Sequence, residues 1–163
     1  MQGERGFVRK KDLYGYLIGI GAAELVGLLA QLFSGSGSAY YEELNQPPLA
    51  PPGWVFPVVW TLLYALMGAA SYRIFNSDSE KRCGALTLYA AQLAVNFLWT
   101  IVFFRFRAPG AAAAVLVLLI VLLVLTIVQF WRVDQKAALL LVPYLLWTLF
   151  ALYLNLGVYF LNT

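Results

Sequence analysis

The stretch Ala111-Ala112-Ala113-Ala114-Val115-Leu116-Val117-Leu118-Leu119-Ile120-Val121-Leu122-Leu123-Val124-Leu125-Thr126-Ile127-Val128 is apolar at every position except its threonine. An uninterrupted run of roughly 18 or more such residues, rising about 1.5 Å each as a helix, crosses most of a hydrocarbon core about 30 Å thick. The run extends to about 110–131. Four further apolar segments, at about 13–33, 54–72, 84–104 and 137–161, have a similar length and are separated by short polar connections.

Composition supports the same reading. Of 163 residues, 62% are hydrophobic and 12% charged, against roughly a quarter charged in an ordinary soluble domain. That supply of charge cannot cover a water-facing surface. A bundle of buried helices in a soluble protein would also need polar outer stripes, and these segments have none. The expectation is an all-α membrane protein, a five transmembrane helix bundle forming one domain over 1–163. The first segment is too long and glycine-rich for a secretory signal, and no small-residue cleavage site follows it, so it belongs to the mature chain.

Several chemistries are excluded. Cys83 is the sole cysteine, and there is no histidine, which removes internal disulfides, zinc patterns and the commonest general base. No paired acid and base, nucleophile elbow or phosphate loop is present, and no cofactor is required. A net charge of +3, with the basic residues beside apolar segments, does not fit nucleic acid.

The basic residues are unevenly placed. Arg5, Arg9, Lys10, Lys11, Arg73, Lys81, Arg82, Arg132 and Lys136 fall on one side of the expected bundle, and Arg105 and Arg107 on the other. In a bacterial cell membrane this bias places the N-terminus inside, with Cys83 in an inside connection.

The longest connection, 34–53, opens with Ser34-Gly35-Ser36-Gly37-Ser38, continues through Tyr40, Tyr41, Glu42 and Glu43, and ends in Pro47, Pro48, Pro51 and Pro52. Proline fixes φ and donates no backbone hydrogen bond, so the stretch reads as neither helix nor strand. About twenty such residues in a compact protein mark a lid, a binding loop or a linker. The rigid, aromatic second half favours a lid.

Of the five tryptophans, Trp54 and Trp131 sit at segment ends, as interfacial anchors do. Trp60, Trp99 and Trp147 lie well inside their spans, where an indole N–H needs an acceptor. Asn96 and Asn155 can supply one. Gln92 and Asn96, a turn apart, and Asn155 are either interhelical hydrogen-bonding groups or polar points on a pocket wall. Glu24 is the one charge in mid-span, where insertion costs about 2.5–3.5 kcal/mol, so it faces the interior, a cavity or a partner. Gly15, Gly19, Ala23 and Gly27 recur every fourth residue. That spacing lets another helix approach closely, within the bundle or across a dimer.

The stretch from Tyr41 through Asn45-Gln46-Pro47-Pro48-Leu49-Ala50-Pro51-Pro52-Gly53-Trp54 to Pro57 and Trp60 resembles the signature of the translocator (TspO, tryptophan-rich sensory protein) family. So do Thr61–Gly68, the third segment from Ala85 through Gln92, Asn96 and Trp99 to Phe103-Phe104, and the fifth from Val142-Pro143-Tyr144 through Trp147 and Ala151 to Asn155. The resemblance runs from about Tyr41 to Asn155. It implies a five-helix membrane protein that often forms a homodimer and binds porphyrins such as protoporphyrin IX, other hydrophobic molecules and, in animals, cholesterol.

Carried over, the family's pocket aromatics fall on Trp60 and Trp147, its polar position in the third helix on Asn96, and its small position in the fifth on Ala151. Trp99, Asn155, Pro47 and Tyr41 complete the expected ligand-binding set. Arg105 is either an interfacial anchor or a partner for porphyrin propionates. Trp60 and Trp147 are expected to line one pocket beneath the lid. Leu49 stands where the family often has tryptophan. No basic residue follows Tyr159, so sterol binding is not expected. The implied function is porphyrin binding in sensing, sequestration or transport. The alternatives are a light-dependent porphyrin-degrading enzyme that uses Trp60 and Trp147, and a structural membrane scaffold.

Overall fold

Six helices and one π-helical turn make up the described chain. The computed structural model describes residues 10–35 and 37–163; Arg5 and Arg9 of the basic N-terminal tail lie outside that range. The helices are α1 (Lys10–Ser34), α2 (Gly37–Glu43), α3 (Val55–Phe75), α4 (Arg82–Thr100), α5 (Pro109–Trp131) and α6 (Gln135–Asn162). The π-turn, Ile101–Arg105, continues α4. All except α2 are long and apolar enough to cross a membrane.

Local chemistry sets most of the ends. Gly35, at φ 73°, takes the left-handed conformation that stops α1 at little cost. Pro57 lies in the first turn of α3 and Pro109 opens α5; neither missing N–H would have had an intrahelical acceptor there. Asp134 caps α6, accepting from the Lys136 and Ala137 backbone N–H groups at 2.8 and 3.3 Å. It also pairs with Arg73 at 2.6 Å, so the connections after α3 and α5 share one side of the bundle. Arg73, Lys81, Arg82, Arg132 and Lys136 gather on that side. Arg105 and Arg107 lie on the other, with α2 and the C-terminus.

The expectation of no helix in 34–53 fails over Gly37–Glu43. The prolines begin only at Pro47, and the segment before them buries Tyr40 and Tyr41 against Phe103 and Phe56, at ring separations of 6.0 and 5.0 Å. Tertiary packing thus closes a short helix that glycine and serine would otherwise disfavour. The proline part is irregular, as expected. It contains a turn in which the Ala50 N–H donates to the Pro47 carbonyl at 3.2 Å, with Leu49 at φ 68°. That position favours glycine.

The five long helices form a closed ring: α1 packs on α3, α3 on α6, α6 on α5, α5 on α4, and α4 returns to α1. The glycine stripe of α1 faces α3 inside the bundle. A Cβ at Gly19 would lie 2.6 Å from the Gly68 carbonyl oxygen, and one at Gly68 would lie 2.4 Å from Ile20 Cα. Gly15 faces Tyr72 and Gly27 faces Tyr64. Glu24 is half-buried on this helix, in electrostatic reach of Tyr64. Opposite the stripe, Leu17, Ile18, Leu25, Leu28 and Leu32 are exposed. That surface points away from the bundle.

Candidate functional site

A cavity of about 280 Å³ opens inside the ring on the side of α2. Its aromatic wall is Trp60 of α3 and Trp99 of α4, with centroids 5.9 Å apart and planes inclined by 36°. Tyr64 continues the wall 5.7 Å from Trp60. The π-turn supplies the next part. The N–H of Phe106 reaches back five residues to the Ile101 carbonyl at 3.1 Å, and this widened turn leaves both Phe103 and Phe104 on the cavity beside Trp99 and Thr100. Such insertions recur at functional sites. Gly27, Ala30, Gln31 and Ser34 of α1 form the facing wall; Ala151, Leu154, Asn155 and Val158 of α6 complete it.

Polar groups are few and placed. Asn155 accepts the Trp99 indole N–H at 3.2 Å and donates to the Pro109 carbonyl at 2.6 Å. Tyr41, reaching in from α2, is buried, and its hydroxyl has no hydrogen-bonding partner among the described residues. Burial pushes that phenol above its ordinary range, so it stays protonated and is a donor for an occupant. Its neighbour Tyr40 is also raised by burial, an effect the Arg107 charge opposes. The Arg107 guanidinium sits 5.0 Å from the centre of the Tyr40 ring.

The lid is latched to α6. Asn45 and Asn162 exchange two hydrogen bonds, at 2.9 and 3.0 Å, and the Tyr153 hydroxyl donates to the Pro48 carbonyl at 2.7 Å. Pro47 is buried against Gly157, where a Cβ would lie 2.5 Å from its own.

Five of the nine residues expected at the site line this cavity: Tyr41, Trp60, Trp99, Ala151 and Asn155. The other four stand around it. Asn96 is behind Tyr64, donating to its hydroxyl at 2.9 Å. Pro47 holds the lid on α6. Arg105 donates to the Phe33 carbonyl at 3.2 Å, tying the end of α1 to the π-turn. Trp147 does not share a wall with Trp60. Phe56 stands between, 6.0 Å from the Trp147 ring, and Trp147 lines an outer groove between α3 and α6 with Leu62, Leu66 and Pro143. Sequence reasoning did not place the α1 wall, Phe56 or the π-turn phenylalanines at the site. The small residues Gly27 and Ala30 were the available signal for the first.

Comparison with known proteins identifies the framework. The family model described as "TspO/MBR family" matches residues 19–161. The chain belongs to the TspO/MBR family. Among its TspO/MBR relatives, the tryptophan-rich protein TspO of Chlorobaculum tepidum is 38% identical over 146 residues, covering 88% of this chain and 92% of that protein. The tryptophan-rich sensory protein of Cereibacter sphaeroides is 42% identical over 123 residues, covering 76% and 77%. The translocator protein of Bos taurus is 39% identical over 129 residues, covering 77% and 76%. The TspO/MBR match begins within α1 and runs through the proline loop almost to the end of α6, so the cavity lies wholly inside the shared region.

Proposed function

We propose that this multi-pass membrane protein binds porphyrins of the protoporphyrin IX type, and related flat hydrophobic molecules, in the cavity beneath the lid, for sensing, sequestration or transport. The Trp60–Trp99 pair carries the reading. Two large rings 5.9 Å apart, continued by Tyr64, Phe103 and Phe104, present π-faces and edges to a conjugated ligand. Each aromatic contact adds about 0.5–1.5 kcal/mol beyond area burial. The family membership and the sparse donors on an apolar wall support it.

The cavity volume sets a condition. At about 280 Å³ it lies just below the range of roughly 300–1,000 Å³ usual for small-molecule sites. A whole macrocycle therefore enters only if the lid lifts from α6, breaking the Asn45–Asn162 and Tyr153–Pro48 bonds. Incubation of the purified protein with protoporphyrin, dark and illuminated, tests the reading. Saturable binding with no light-dependent loss of pigment is expected, and light-dependent turnover of the pigment would establish the enzymatic alternative instead. Absence of saturable binding would leave a scaffold.

In a bacterial cell membrane, the segregation of basic residues supports an orientation with the N-terminus inside. Cys83 is exposed at the start of α4, on the basic side. A membrane-impermeant maleimide is expected to label it only after permeabilisation; labelling of intact cells would reverse the orientation.

A further inference from the structure

Besides Asn155, Thr126 and Thr148, the interior of the ring buries a second set of polar groups away from the cavity opening. Gln92 and Asn96, a turn apart on α4, are fully buried, as is Tyr144 of α6. Both ends of the Gln92 amide, the Asn96 Oδ1 and the Tyr144 hydroxyl have no hydrogen-bonding partner among the described residues. Exchanging the oxygen and nitrogen of the Gln92 amide changes nothing, because neither end is paired.

These groups converge. Asn96 bonds Tyr64, and Tyr64 and Tyr144 both pack on the Trp60 ring, at 5.7 and 6.1 Å. Tyr89 precedes Gln92 by one turn on the same buried face of α4, so the Gln92 amide lies between Tyr89 and Asn96.

Buried polar groups in native proteins are almost always paired, and a cluster of orphans marks a bound species. The set is neutral and mixed, with an amide donor, amide acceptors and a phenol that can act as either. Nothing in it balances an ion's charge. Water, which donates and accepts and commonly makes about three bonds at buried sites, matches it.

We propose that the centre of the bundle is a water-binding chamber, in which ordered water bridges Gln92, Asn96 and Tyr144 behind the Trp60 wall of the cavity. The Trp60 ring packs 6.1 Å from Tyr144 and separates the chamber from the ligand space. Water accepted at the Asn96 Oδ1 fixes that amide with its nitrogen toward Tyr64. The Tyr64 oxygen then accepts from Asn96.

A high-resolution crystal structure of the intact protein tests the chamber directly. Ordered density within hydrogen-bonding distance of Gln92, Asn96 and Tyr144 is expected; side chains paired directly with each other and no density between them would overturn it. Thermal unfolding gives an independent reading. Gln92→Leu removes the amide at similar volume. If water is bound, it lowers the melting temperature by several degrees and its effect overlaps with that of Tyr144→Phe, because both act on the same waters. A raised melting temperature, as expected on deleting an unpaired polar group from a dry core, or strictly additive losses would contradict the proposal.

Discussion

The Trp99 indole donates to Asn155 at 3.2 Å, and Asn155 passes the constraint on to the Pro109 carbonyl at 2.6 Å. One side chain of α6 thus fixes the ring of α4 that walls the cavity and the first turn of α5. Asn155→Leu keeps the branched shape and removes the acceptor of the Trp99 indole N–H. A loss of about 1–3 kcal/mol is expected, read as a lower melting temperature in detergent together with a shifted tryptophan emission. Unchanged stability would mean that Trp99 finds another acceptor.

The lid should respond to changes on α6 that never touch a ligand. A Cβ at Gly157 would stand 2.5 Å from Pro47 Cβ, so Gly157→Val displaces the proline loop, and Asn162→Ala removes both bonds to Asn45. Both variants are expected to keep wild-type helicity, release bound porphyrin faster and become more sensitive to protease within 44–53. Gly84→Ala, in open space, is the control. Unchanged release rates would show that the lid does not limit exchange.

Much of this architecture was legible in the sequence because the bilayer imposes a coarse, strong rule on length and polarity. The run 111–128 needed no partner to be recognised as a span. The π-turn was not legible, since Ile101–Arg105 reads as ordinary helix and only the long backbone bonds at its end reveal the change. The placement of Trp147 was missed for a related reason. Depth in the membrane is readable from residue number, but the direction a ring faces depends on the order of helices around the ring, and Phe56 takes the position between Trp147 and the cavity. The Trp99–Asn155 bond was accessible because a buried indole requires an acceptor and few were on offer. The stripe on α1 announced close approach, yet only the structure shows Gly68 opposite it.

That approach is itself testable. Gly68→Val would drive a Cβ to 2.4 Å from the Ile20 backbone, which cannot yield as a side chain would. Overpacking costs about 1–3 kcal/mol, and the expected result is a sharp fall in folded yield. Gly21→Ala, with nothing nearby, should express normally. Equal yields would place the α1–α3 contact elsewhere.

Asp134 has two roles that separate by substitution. Asp134→Asn keeps an oxygen for the α6 cap and loses only the partly exposed ion pair with Arg73, a change of about 0–1 kcal/mol. Asp134→Ala loses the cap as well, a further loss of about 0.5–2 kcal/mol. Melting temperatures should fall in the order wild type, Asn, Ala. If Asn and Ala variants melt together, the cap contributes nothing.

The central claim is that ligand sits against Trp60 and Ala151, inside the wall that excludes Trp147. The most direct measurement is protoporphyrin affinity, from titration followed by the pigment's own absorbance, for wild type, Trp60→Phe, Ala151→Leu and Trp147→Phe, with helicity checked for each. Trp60→Phe is expected to lose about 1–2 kcal/mol, roughly five- to thirtyfold in affinity. Ala151→Leu should weaken binding at least as much by filling the cavity, and Trp147→Phe should stay close to wild type. Wild-type affinity in both Trp60→Phe and Ala151→Leu, or the greatest loss in Trp147→Phe, would contradict the assignment of this cavity as the binding site.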